Sequence, residues 1–134
     1  MEKNKQPGIK FDSVFLSKLK YELPKELPSE FQYKLKVRNS YKINDKEGKL
    51  IYAMAVQLYD RFELELTGIF STIRGKENLG LEEFAKVNAP ALLLPFAREI
   101  ISSITSKTPL PHLLLPPINV LALSKKSEIG KSTK

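Results

Sequence analysis

The chain of 134 residues has no cysteine and no tryptophan, and its only histidine is His112. Without thiols there is no disulfide staple, no thiolate metal site and no cysteine nucleophile. His112 lies between Pro111 and Leu113, with no second histidine to complete a metal site or a general-base pair. No glycine-rich phosphate loop is present. Glu82 and Glu83 are adjacent, so on a helix they point apart. Glu63 and Glu65 share a strand face, but alternating glutamates mark the solvated side of a sheet. Arg98 and Glu99 read as a solvated or interface-rim pair. The expectation is a protein that is not an enzyme, with no cofactor and no metal. The apolar runs 89–97 and 113–123 are short and interrupted by proline, too short to span a bilayer. The first ten residues carry no apolar run of the secretory kind. A soluble, cytoplasmic protein without membrane insertion is expected.

Charge of one sign is plentiful: the formal net charge is +7. Residues 1–10 contribute +2 and residues 125–134 contribute +3, which leaves only +2 on everything between. Such tails read as flexible. The expected organisation is a flexible basic tail over 1–8, one domain over 9–123, and a second flexible basic tail over 124–134. The domain fits the size of a single core.

Hydrophobic alternation dominates the first half. Ile9, Phe11, Ser13, Phe15, Ser17, Leu19, Tyr21 and Leu23 recur at period two, which predicts a strand with one buried face. "PKELPSE" (24–30) reads as a surface loop. Phe31, Tyr33, Leu35 and Val37 alternate with Gln32, Lys34, Lys36 and Arg38 as a second strand. "NDKEG" (44–48) is a turn. Leu50, Tyr52, Met54, Val56 and Leu58 give a third strand, and Phe62, Leu64 and Leu66 a fourth, with Gly68 ending the alternation. Thereafter the period changes. "LEEFAKV" (81–87) predicts two helical turns. Leu93, Phe96, Ala97, Ile100, Ile101 and Ile104 form a stripe at helical spacing. Pro95 suits a first helical turn, so a helix is expected from Pro95 to about Lys107, with Glu99 and Lys107 placed to complement its ends. Strands first and helices last predict an α+β fold: a four-stranded antiparallel sheet with C-terminal helices packed on one face.

The segment "LPHLLLPPINVLAL" (110–123) is apolar yet too rich in proline to be a regular helix. It suits a groove that accepts apolar segments of another chain, ordinary core, or a subunit contact. Lys34, Lys36 and Arg38 are the only cationic cluster within the domain; alternating with inward residues, they read as a solvated strand face, and no specific nucleic acid is expected.

"GIFS" (68–71), "NAPALLLPFAREIISS" (88–103) and "PLPHLLLPPINVLAL" (109–123) together resemble the SecB family of protein-export chaperones. The positions that carry the resemblance are Gly68, Phe70, Pro90, Pro95, Phe96, Ala97, Arg98, Glu99, Pro111, Leu113, Leu115, Pro117 and Asn119. "FLSKLKYELP" (15–24) is similar to the family's first strand. The resemblance implies a Greek-key-like crossover between strands one and two, and ATP-independent holding of unfolded polypeptides. It implies a client groove at Tyr33, Leu35, Val37, Phe96, Leu113, Leu115, Ile118 and Val120. It implies a homotetramer, a dimer of dimers, through Phe15, Leu19, Phe96, Ile100, Ile101 and Ile104.

The chain departs from the family's pattern in charge. Its end is short and basic where export members are acidic. Of the acidic positions that hold the basic tail of the SecA motor, Glu22 and Glu63 remain, flanked by Lys18 and Arg61. Weak docking on a SecA-type motor is the consequence. Clients of preprotein or antitoxin type are both compatible. The competing readings are a basic nucleic-acid binder and a purely structural oligomer subunit.

Overall fold

The computed structural model describes residues 8–27, 30–73 and 80–113. Four strands, β1 (Ile9–Tyr21), β2 (Lys36–Asn44), β3 (Lys49–Tyr59) and β4 (Phe62–Thr72), form one antiparallel sheet in the order β1-β4-β3-β2. The last three make a meander joined by tight turns. Gly48, with φ +64°, supplies the left-handed residue that closes the β2–β3 turn. The first and second strands lie on opposite edges, so the chain from Glu22 to Leu35 crosses the end of the sheet. Its anchors are the Glu22 N–H bond to the Arg61 carbonyl (2.9 Å) and the Tyr59 hydroxyl bond to the Glu22 carbonyl (2.6 Å). One helix among the described residues, α1 (Leu81–Thr105), covers the inner face of the sheet. It packs on β3 and reaches β2 and β4. The core between them holds Leu50, Tyr52, Met54, Val56, Leu58, Phe62, Leu64, Leu66 and Phe70 from the sheet, and Phe84, Ala89, Leu93, Ala97 and Ile101 from the helix.

Four expectations change. The inward face of β1 does not keep odd numbering. Asp12 and Ser17 are extra residues against β4, because Phe11 pairs with Phe70 but Ser13 with Ile69, and Leu16 with Leu66 but Lys18 with Glu65. Each bulge shifts the alternation by one. Val14 and Leu16 therefore share the helix-side face with Leu19 and Tyr21, and Phe15 points to the outer face. The second strand begins at Lys36. Phe31–Leu35 is extended but joins β3 only through the Lys34 N–H bond to the Leu58 carbonyl (2.9 Å). Ring packing holds it instead: Phe31 lies edge-on to Tyr33 and Tyr59 at 5.0 and 5.4 Å. The fourth strand runs on through Gly68 to Thr72.

The helix is the largest difference. It starts at Leu81, not at Pro95, and contains both Pro90 and Pro95. Glu99 thus lies in mid-helix rather than near an end. An interior proline costs about 3 kcal/mol, but the buried positions Leu81, Phe84, Ala85, Ala89, Leu93, Leu94, Ala97 and Ile101 form one stripe across both prolines. Each large apolar side chain in that stripe contributes about 1.5–3 kcal/mol, so tertiary packing outweighs the break. Glu82 and Glu83 in the first turn complement the helix dipole, and Glu82 also pairs with Lys86 at 3.5 Å.

Gly68 sets how closely helix and sheet approach. A β-carbon there would lie 2.9 Å from Leu93 Cδ1 and 3.2 Å from Phe70 Cε1. Gly68→Ala should therefore lower the unfolding free energy by about 1–3 kcal/mol, the usual range for overpacking. Urea titration followed by circular dichroism reads this directly; unchanged stability would mean that Leu93 repacks freely.

Candidate functional site

The chain leaving α1 is held by three hydrogen bonds, two back to α1 itself and one to the crossover. Thr105 is one of two buried polar residues among those described. Its hydroxyl donates to the Ile101 carbonyl (2.9 Å), as helical threonines do, and accepts the N–H of Leu113 (3.0 Å). Ser102 Oγ and His112 Nε2 are 3.0 Å apart. The Tyr33 hydroxyl donates to the Pro111 carbonyl at 2.5 Å. Burial is the main cause that raises the Tyr33 hydroxyl above the usual tyrosine value, and neighbouring Tyr21 adds to it. Burial likewise pushes Tyr59 up to about 12, aided by Tyr21, Tyr33 and Asp60, with Arg61 acting against. Both phenols stay protonated near neutrality and act as hydrogen-bond donors.

This brings Tyr33, Leu35 and Leu113 to one flank, all half-buried against the core. Two expected neighbours are elsewhere. Val37 is only 3% exposed and belongs to the core, because the alternation turns it under α1. Phe96 lies on the opposite flank: its ring is 6.2 Å from that of Phe11 on β1, at the far edge of the sheet. Leu115, Ile118 and Val120 fall outside the described residues.

The opposite flank is apolar too. α1 lies mainly over β2, β3 and β4, so the helix-side face of β1 is covered only in part: Phe11, Val14 and Tyr21 pack against the core, whereas Leu16 and Leu19 are 42% and 46% exposed. Phe15 on the outer face and Phe96 and Leu92 on the helix add exposed apolar surface. Ile100 and Ile104 are half-buried. Ile101 is fully buried beneath its own helix and cannot face a partner subunit. Leu16 and Leu92 are absent from the sequence-based set. Strict period two dismissed Leu16, and a helix starting at Pro95 excluded Leu92. Thr105 carried no sequence signal.

On the outer sheet face, Glu22 is bound by Arg61 (2.6 Å) and Glu63 lies 3.9 Å from Lys18. β1 and β4 are neighbours, so both expected acids have cations beside them.

A four-stranded sheet of order β1-β4-β3-β2 backed by one long helix is the fold of SecB-like chaperones. A SecB-like chaperone of Mycobacterium tuberculosis, solved with a ChAD peptide from the HigA1 antitoxin, superposes with a TM-score of 0.67 at 14% identity, over 84% of this chain and 91% of that one. The family described as "Preprotein translocase subunit SecB" matches residues 2–129; the chain belongs to the SecB family. The protein-export protein SecB of Marinobacter nauticus is 27% identical over 95% of this chain and 87% of its own length. That of Xanthobacter autotrophicus is 32% identical over 70% of this chain and 53% of its own length. An uncharacterized protein of Methanocaldococcus jannaschii is 35% identical over 48% of this chain and 41% of its own length. In the last two, the match spans about half the relative or less.

Thr105→Val keeps the shape but removes both hydroxyl bonds. Leaving the Leu113 N–H without its acceptor should cost about 1–3 kcal/mol, concentrated in the segment after α1. Hydrogen exchange should quicken at Leu113 more than at core amides of β3; uniform acceleration would mean that Thr105 merely supports the global fold.

Proposed function

We propose that this chain is a cytoplasmic, ATP-independent holdase that shields apolar segments of unfolded polypeptides, of preprotein or antitoxin type, and catalyses no reaction. The observation that carries this reading is the flank formed by Tyr33, Leu35 and Leu113, where an irregular segment is pinned to α1 by Thr105 and to the crossover by Tyr33. Prolines and side-chain bonds keep this surface open without the regular packing that would close it. An apolar client segment laid there gains about 25 cal/mol for each Å² removed from water. Leu115, Ile118 and Val120 are proposed to extend the same groove. The peptide bound by the M. tuberculosis relative supports clients of the antitoxin class.

The partly covered flank is proposed to serve assembly. Phe15, Leu16 and Leu19 on β1, with Phe96, Ile100 and Ile104 on α1, supply the surface for a homotetramer built as a dimer of dimers. The two roles are separable by mutation. Leu35→Asp and Leu113→Asp should weaken suppression of client aggregation at least about tenfold, roughly 1.4 kcal/mol, without altering the mass from light scattering. Leu19→Asp should lower that mass. Full chaperone activity in both groove variants would refute the groove; a wild-type monomer at micromolar concentration would refute the assembly.

We further propose that docking on a SecA-type motor is weak. Exposed ion pairs are worth about 0–1 kcal/mol each, enough for Arg61 and Lys18 to offset much of what Glu22 and Glu63 could offer a basic tail. Calorimetry with a zinc-loaded SecA tail peptide should show weak binding that Lys18→Asp with Arg61→Leu strengthens. Tight wild-type binding, unchanged in that double variant, would make this an ordinary export chaperone.

A further inference from the structure

The outer face of the sheet, turned away from α1, carries its charge in rows. On β2 the outward positions are Lys36, Arg38, Ser40 and Lys42, which pair with Gln57, Ala55, Ala53 and Ile51 of β3. Those in turn pair with Glu63, Glu65, Thr67 and Ile69 of β4. The acids on β4 are partnered from the far side: Lys18 lies near Glu63, and Lys20 is directly opposite it. The cations on β2 form no ion pair among the described residues; the pairs seen there involve Lys10, Lys18, Arg61 and Lys86. Between the two rows Ala53 and Ala55 leave a floor with no projecting side chain. At the hairpin end the lane opens into a concavity of about 580 Å³ lined by Lys42, Lys46 and Lys49, by Asp45 and Glu47, and by Ile51, which is 46% exposed.

We propose that this lane is a docking surface for an acidic, extended peptide segment of a partner protein, separate from the apolar groove on the other side of the sheet. Lys36 and Lys42 are six residues apart on one strand, about 20 Å at ~3.3 Å per residue. An extended peptide has the same rise, so acidic side chains at every second position meet Lys36, Arg38 and Lys42 in register. The alanine floor admits its backbone, and Ile51 receives one apolar side chain at the hairpin end. Opposite potentials across an interface steer encounter and fix register more than they add affinity. Nucleic acid fits less well. No aromatic residue projects from the three rows to stack a base. A second copy of the chain would set one cationic row against another.

The test uses the full chain and a fluorescein-labelled peptide of about ten residues, alternating Glu and Ser with one Leu near its end. Anisotropy at low salt should show binding that weakens at least about tenfold in Lys36→Glu with Arg38→Glu, both exposed positions, with circular dichroism confirming the fold. Lys18→Glu and Leu35→Asp should leave it unchanged, and amide shifts should map to β2 and β3. No binding by the wild type overturns the proposal. So does equal weakening by Lys18→Glu, which would mean unspecific charge attraction, or by Leu35→Asp, which would place the peptide in the apolar groove. Tighter binding of a single-stranded oligonucleotide of equal charge would overturn it in favour of nucleic acid.

Discussion

The close seating of Leu93 on Gly68 is the constraint from which the rest of the architecture follows. With no β-carbon at Gly68, the helix descends onto the sheet until Leu93 occupies the space that a β-carbon there would need. That approach buries one continuous stripe from Leu81 to Ile101 and so holds the helix together across two prolines. It also fixes the lateral position of α1. A helix about 10 Å wide cannot cover four strands spaced at about 4.8 Å, and the strand it covers least is β1. The exposure of Leu16 and Leu19 is thus a geometric consequence of where Leu93 rests. The same placement aims the C-terminal end of α1 at the crossover, where Tyr33 and Thr105 can capture the chain.

The two apolar flanks differ in their backbone, and this separates the roles proposed for them. On β1 the side chains stand on a long, hydrogen-bonded edge strand, a surface suited to a repeated contact between identical subunits. At Tyr33, Leu35 and Leu113 they stand on irregular segments tethered by single hydrogen bonds. Such a surface adjusts to varied occupants, as a holdase with many clients requires.

Much of this was legible in the sequence. The meander β2-β3-β4 followed from strict alternation around "NDKEG", and the antiparallel α+β class from the order of elements. What misled was local propensity read without its tertiary partner. Pro95 is a helix breaker in isolation, yet Leu93, Leu94 and Ala97 on either side of it are all buried by the sheet, and their burial decides. The bulges at Asp12 and Ser17 have no signature of glycine or proline, so the phase of β1 could not be read from alternation. Grouping Val37 and Phe96 with Tyr33 and Leu35 failed for a different reason. Those residues are assigned to one groove by likeness to relatives, but helix placement in this chain puts one in the core and the other across the sheet.

Charge shows the same dependence on placement. The formal +7 is concentrated in the tails, and composition alone points to a generic anion binder. Strand pairing resolves the domain's own charges into two different surfaces. On β1 and β4, opposite charges meet: Lys18 with Glu63, and Arg61 with Glu22. Such pairs leave little net field, which weakens any attraction for a basic partner. On β2, Lys36, Arg38 and Lys42 share the outer face beside uncharged Gln57, Ala55 and Ile51 of β3, and their field is not cancelled locally. A sheet that places the same number of lysines in alternating order with glutamates would present neither surface. The order β1-β4-β3-β2 puts the acid-bearing strand next to the lysines of β1 and two strands from those of β2, and this spacing decides which cations remain available to an acidic segment.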